Sequence, residues 1–142
     1  MGTTLVLAVL KGLNLKIASV GDSSACLRVA NRQPQTLTTE QTMAAEFLRA
    51  GKTPDPYMRH VLTQCLGQPD PVTPEIVTHE FPAGSMLLLC SDGISKPLEM
   101  ETVLEEMKAG LKPAELVSAL MQDVESMNVP DDATVVAVFN GD

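Results

Sequence analysis

A layered α+β domain with a largely antiparallel sheet is the fold class this sequence predicts. Three observations point there: apolar strand-like runs outnumber helical stripes, the first runs follow one another through short turns, and two helical stripes are consecutive late in the chain. Alternating βαβ units would give a parallel wound sheet, and that order is absent.

The first predicted strand is Thr3 to Leu10, a continuous apolar run suited to burial on both faces. Lys11-Gly12 is a turn signal. The second strand, Asn14 to Val20, alternates Leu13, Leu15 and Ile17 with Asn14 and Lys16. Gly21-Asp22-Ser23 turns the chain into a third strand, Ala25 to Val29, which makes a meander of hairpins. A helix is expected from about Thr39, with Thr38 and Gln41 at capping-box spacing. Met43, Ala44, Phe47 and Leu48 share its face, and Gly51 stops it. Lys52 to Met58 holds two prolines and reads as a loop, followed by a short helix from Arg59 to Leu66. A long strand, Val72 to Phe81, sets Ile76, Thr78 and Glu80 against Val77, His79 and Phe81. Pro82-Ala83-Gly84 then turns into the strand Ser85 to Cys90.

Two helices follow. Met100, Val103, Leu104 and Met107 form the stripe of the first, which ends at Gly110. Pro113 suits the first turn of the second, where Leu116, Val117, Leu120 and Val124 keep a helical period. Pro130 stops that helix, and Ala133 to Phe139 is the last strand.

A length of 142 residues suits one domain, and 44% hydrophobic residues provide a core. With no Trp, one Tyr and three Phe, that core is built from Leu, Val, Ala and Met. The net charge of -8 argues against nucleic acid and anionic membranes as partners. Cys26, Cys65 and Cys90 are odd in number and lack CxxC spacing, which argues against disulfides and zinc. No signal peptide is visible, and Leu5 to Leu10 is too short to span a bilayer. A reducing, cytoplasmic setting is the expectation.

Three acidic turns carry the chemistry: Gly21-Asp22-Ser23, Ser91-Asp92-Gly93 after Met86 to Cys90, and Asp131-Asp132-Ala133-Thr134 before Val135 to Val138. Each alone has an ordinary reading as a turn or self-capping loop. Together they place short carboxylates at strand ends, where hard cations such as Mg or Mn find oxygen ligands from separate segments. His60, His79 and Arg59 read as structural or surface groups. Met100, Met107, Met121 and Met127 read as packing residues, and Glu99, Glu101, Glu105 and Glu106 as a solvated helix face.

In order along the chain, these motifs resemble the metal-dependent, type-2C (PPM) Ser/Thr protein phosphatases. The matching segments are Met1-Gly2-Thr3-Thr4-Leu5, Ala18 to Ser23, Leu37-Thr38, Leu66-Gly67, Leu88 to Ile94 and Asp131 to Val136. The resemblance implies a two-sheet antiparallel sandwich flanked by helices, with two Mg or Mn ions at one end. A metal-activated water would attack phosphoserine or phosphothreonine in a protein substrate. By motif it implies Asp92 and Asp131 as metal ligands, and Asp22 as a holder of an additional metal. A cognate Ser/Thr kinase is an implied partner.

The family's upstream Asp-Gly-x-Gly-Gly motif is missing from this sequence. Residues 1–142 therefore read as a single partial phosphatase-like domain, either a piece of a longer chain or a naturally shortened relative. Weak metal binding, little hydrolysis by this chain alone, and self-association through exposed core are the expectations. The alternative function is a catalytically inactive binding or regulatory module. Smaller departures are Ser24 for Arg, Glu40-Gln41 for Asp-His (with a weakened local hydrogen-bond network), Asp132 for Asn, and Lys96 where many relatives carry Asp.

Overall fold

The computed structural model describes residues 2–128 and 131–141. Among them the chain forms strands β1 (Leu5–Lys11), β2 (Asn14–Val20), β3 (Ser24–Arg28) and β4 (Gln35–Thr36), then helix α1 (Met43–Arg49) and a 3-10 turn (Pro56–His60). Strands β5 (Glu75–Glu80) and β6 (Met86–Cys90), helices α2 (Asp92–Lys108) and α3 (Pro113–Met127), and strand β7 (Val135–Phe139) complete it. The fold is mixed α+β, and all of its strand pairs are antiparallel.

Two sheets face each other. One has the order β1-β2-β5 and the other β4-β3-β6-β7. Leu15 and Ile17 of β2 meet Ala25 and Leu27 of β3, Leu87 of β6, Leu37 and Phe81 between the sheets. On the far side of the four-stranded sheet, α2 and α3 cover Cys26, Met86, Leu88 and Cys90 with Ile94, Val103, Met107, Leu116 and Leu120. That sheet is thus apolar on both faces, as β6 (Met-Leu-Leu-Leu-Cys) requires. Truncating a side chain as enclosed as Leu120 to Ala would cost about 2–5 kcal/mol.

The β1–β2 hairpin turns at Gly12, as expected. Four expectations are corrected. First, β2 and β3 do not form a hairpin; they belong to different sheets, and Gly21-Asp22-Ser23 carries the chain across the sandwich. A turn signal shows where a chain bends, not which sheet it joins next. Second, β1 is not buried on both faces. Leu5, Leu7 and Val9 point outward and are 40–52% exposed. Register aligns Leu7, Ala18 and Ile76 as an apolar row on this outer face, and among the described residues α2 and α3 pack on the other sheet.

Third, α1 begins later than the Thr38–Gln41 spacing suggests: Thr42 is the cap, accepting from the Ala45 amide at 3.2 Å. Leu48 is exposed rather than packed. Fourth, the short helix predicted at Arg59 to Leu66 lies earlier, as the 3-10 turn that Pro56 opens. Residues 61–66 instead form isolated bridges, Thr42 with Leu62 and Thr3 with Leu66. The terminal strands are shorter than their sequence limits, and the expected stop at Pro130 and the opening Met1 lie outside the described residues.

Candidate active site

Asp22 sits on the crossing between the sheets, and the local backbone holds it there. Gly21 has φ +101°, a conformation that favours glycine, and a Cβ there would lie 2.4 Å from Thr4 Cγ2. Gln41 clasps this residue from the start of α1. Its Oε1 accepts from the Gly21 amide at 2.7 Å, and its own amide donates to the Gly21 carbonyl at 3.0 Å. The Thr4 and Ser23 hydroxyls share a 2.9 Å hydrogen bond on the other side. Gln41, one of the two residues that stand in place of Asp-His, thus makes two hydrogen bonds to Gly21. Gln41 acts as a strut, a role that capping-box reasoning missed because it assigned Gln41 to the helix.

Asp92 is not a loop residue between strand and helix. It is the first residue of α2, with Ser91 as the cap. A carboxylate is favoured at that position by the helix dipole. The helix continues to Lys108 through a break at Glu99 (φ 59°, ψ 145°), two residues after Pro97. Sequence periodicity places only the second half of this helix, since Pro97 and Gly93 mask the first.

The start of α2 rests directly on the Asp131–Thr134 loop. Ser91 donates its amide to the Thr134 carbonyl at 3.0 Å, and its Oγ accepts from the Thr134 amide, also at 3.0 Å. Gly93 permits this approach: a Cβ there would stand 2.4 Å from the Asp132 carbonyl oxygen. Asp131 is exposed, and its Oδ1 accepts from the Asp132 amide at 2.9 Å.

Lys96 organises the centre. Its Nζ lies 2.7 Å from Asp22 Oδ2 and 2.8 Å from Asp92 Oδ2. The Asp22 side chain is 6% exposed, Lys96 17% and Asp92 32%. Burial would lower the lysine pKa, but hydrogen bonds to Asp22 and Asp92, and their charges, outweigh it and raise the value. Asp22 and Asp92 therefore do converge, around an ammonium group. Asp131 stands on the adjoining loop, outside this ion pair. The i,i+4 spacing of Asp92 and Lys96 was the signal for this pairing.

Beside Lys96 opens a cleft of about 200 Å³, lined by Glu40, Arg59, Ser95, Lys96, Glu99 and Glu101 among others. Burial raises the Glu40 pKa, opposed by the nearby Lys96 charge. Arg59 reaches this cleft from the 3-10 turn, whereas His60 is exposed at the end of that turn and His79 lies half-buried in β5. Among the described residues, no three His, Cys, Asp or Glu side chains are grouped to hold a metal ion. The carboxylates that meet share a lysine, so this donor set does not by itself form a divalent cation site.

Comparison with known proteins gives the family. The profile of the Stage II sporulation protein E (SpoIIE) family matches residues 1–139. Serine/threonine phosphatase stp of Listeria monocytogenes serotype 4b (strain F2365) is 32% identical over 144 residues, covering 97% of this chain and 56% of the relative. Protein phosphatase PhpP of Streptococcus pneumoniae serotype 2 (strain D39) is 29% identical over 144 residues, covering 97% of this chain and 58% of its own length. The crystal structure of the catalytic domain of the serine/threonine protein phosphatase PstP, in complex with two manganese ions, superposes with a TM-score of 0.84 at 30% identity. It is matched by all of this chain, which covers 60% of it. The chain thus spans little more than half the length of these relatives. The profile match over residues 1–139 and the superposition on the PstP catalytic domain show that the chain belongs to the SpoIIE/PPM-type phosphatase domain family.

Proposed function

We propose that residues 1–142 form part of the catalytic domain of a metal-dependent Ser/Thr protein phosphatase, namely its C-terminal part. One observation carries this reading. The interlocked Ser91–Gly93 and Asp131–Thr134 segments put Asp92, at the start of α2, beside the loop that carries Asp131, at one rim of the sandwich. These two residues are the proposed ligands for Mg or Mn in the completed domain. Asp92 gives Oδ2 to Lys96, which leaves Oδ1 for a cation. The remaining ligands must come from the part of the domain that the relatives possess and this chain does not match.

Bound divalent cations neutralise phosphoryl charge and lower the pKa of their water. The substrate class is a phosphoserine or phosphothreonine protein, with a cognate kinase as a regulatory partner in cytoplasmic signalling. The net charge of -8 supports a role without nucleic acid or anionic membrane surfaces. No described helix is long and apolar enough to cross a membrane. The outer row Leu7, Ala18 and Ile76 is the proposed seat of the rest of the domain, and a source of self-association when that part is absent. A catalytically inactive binding module is the second reading, favoured by the Lys96 ammonium that takes one oxygen of Asp92.

A chimera separates the two. Residues 1–142 replace the matched stretch of the Listeria monocytogenes phosphatase. The enzyme reading expects Mn-dependent hydrolysis of a phosphothreonine peptide. Metal stabilisation of the transition state is worth several kcal/mol, so Asp92→Asn and Asp131→Asn should each lower it about 100-fold or more. A folded chimera without Mn-dependent hydrolysis refutes the enzyme and leaves the module.

A further inference from the structure

The Asp22–Lys96–Asp92 cluster ties together two elements far apart in sequence. Asp22 lies on a crossing fixed by Gly21, Gln41 and the Thr4–Ser23 hydrogen bond. Asp92 and Lys96 lie one turn apart on α2, so the helix itself fixes their spacing. Two carboxylates that both approach one point need a positive charge between them, or one must take up a proton. Here that charge is covalently part of the chain. An ammonium at 2.7 Å and 2.8 Å makes short, charge-assisted hydrogen bonds to one oxygen of each partner. The cluster carries one net negative charge. An aspartate in place of the lysine would leave three negative charges at the same point, an arrangement that calls for a divalent ion.

We propose that Lys96 is a built-in substitute for a divalent cation between Asp22 and Asp92. Asp22 is then not a metal ligand in this chain. It is a positioning residue, which holds the start of α2, and with it Asp92, against the sheet crossing. The completed domain would bind one cation fewer than a relative with a carboxylate at this position. This deepens the phosphatase reading, on which the assignment of Asp92 as a ligand in the completed domain rests. The exchange of Lys96 for a metal does not depend on activity. A lysine bridge also makes the tie permanent, because no change in cation concentration releases it.

The test reads metal binding in the 142-residue chain, with no turnover assay. Mn(II) binding is followed by electron paramagnetic resonance of free Mn, and folding by circular dichroism. In the wild-type chain, Asp22→Asn should leave Mn stoichiometry unchanged. Lys96→Asp should gain one further Mn ion per chain, and the double variant Lys96→Asp/Asp22→Asn should lose that gain. Lys96→Arg keeps a fixed cation and should gain none. Lys96→Met, which leaves the two acids facing each other, should melt lower than wild type and recover as Mn is added.

Two results overturn the proposal. One is a loss of Mn on Asp22→Asn in the wild-type background. The other is a Lys96→Asp chain that folds with Mn present and binds no additional ion. Should Lys96→Asp fail to fold, a Lys96→Met chain whose melting temperature Mn does not raise overturns it equally, and one that Mn restores supports the exchange. Failure of the phosphatase reading would appear separately, as an inactive chimera, with these stoichiometries unchanged.

Discussion

Replacing Gly93 with Ala tests the contact on which the adjacency of Asp92 and Asp131 rests. Helix propensity alone predicts a gain, because Ala is favoured over Gly by about 1 kcal/mol within a helix. The structure predicts the opposite sign. The new methyl carbon would stand 2.4 Å from the Asp132 carbonyl oxygen, 2.9 Å from its carbonyl carbon and 3.2 Å from Ala133 Cα. The nearest of these lies about 1 Å inside van der Waals contact. All three atoms are backbone, so no side chain can swing aside. The Asp131–Thr134 loop must retreat from α2 or the helix start must unwind. Either movement strains the two 3.0 Å hydrogen bonds between Ser91 and Thr134. Overpacking costs about 1–3 kcal/mol and each weakened hydrogen bond about 1 kcal/mol. Set against the propensity gain, the net loss is about 2–4 kcal/mol. For a chain of this length that lowers Tm by about 7–13 °C. Thermal unfolding followed by far-UV circular dichroism measures it. A Gly93→Ala chain as stable as wild type, or more stable, would show that the start of α2 and the Asp131–Thr134 loop are not in contact as described.

Further outcomes follow from the same geometry. Burial pushes the Cys26 thiol up to about 11 and the Cys90 thiol up to about 12, with the nearby Cys26 adding to the latter. Both should resist iodoacetamide at pH 8 while half-exposed Cys65 reacts, as mass spectrometry of labelled peptides would show; equal labelling of all three would contradict this core. Because the folded thiol values lie above the unfolded one near 9.0, stability from these groups is intact below that pH and declines as pH rises toward 11–12. Leu7→Lys with Ile76→Lys, on exposed neighbouring strands, should shift the chain from oligomer to monomer in analytical ultracentrifugation without lowering stability by more than about 1 kcal/mol; an unchanged oligomer would mean that this face is not the one that associates. Gln41→Leu removes the acceptor of the Gly21 amide and should cost about 1–3 kcal/mol in urea unfolding, whereas a cost near zero would deny it the strut role.

Much of the fold was legible because the stripe and turn signals are local. The Lys11-Gly12 hairpin and the α3 face of Leu116, Leu120 and Val124 required no knowledge of distant residues. Assignment of strands to sheets was not legible. Gly21-Asp22-Ser23 has the composition of a hairpin turn, yet its Gly is clasped by Thr4 and Gln41, and neither partner is visible from the turn itself. The exposed face of β1 has a different origin. An all-apolar strand states what it needs on both faces, and here the outer face has no cover within the described residues.

At the site, the order of acidic motifs gave the family through resemblance, and the convergence of Asp22 with Asp92 agrees with that order. The identity of the cation between them did not follow from the family pattern. Lys96 was visible as a departure, but its consequence depends on which side chains surround it across the sandwich. The lysine sits one helical turn from Asp92, so half of the pairing was available from spacing alone once α2 is extended back to Ser91. Pro97 hid that extension, because a proline at this point reads as a helix boundary, and the break at Glu99 shows that it nearly is one.

The most direct test is anomalous X-ray diffraction at the Mn edge from crystals of the chimera grown with Mn. The account predicts Mn peaks bonded to the carboxylates of Asp92 and Asp131, with the Lys96 ammonium, and no Mn, between Asp22 and Asp92. A Mn peak held by Asp22 with Lys96 turned away, or metal density that touches neither Asp92 nor Asp131, would contradict it.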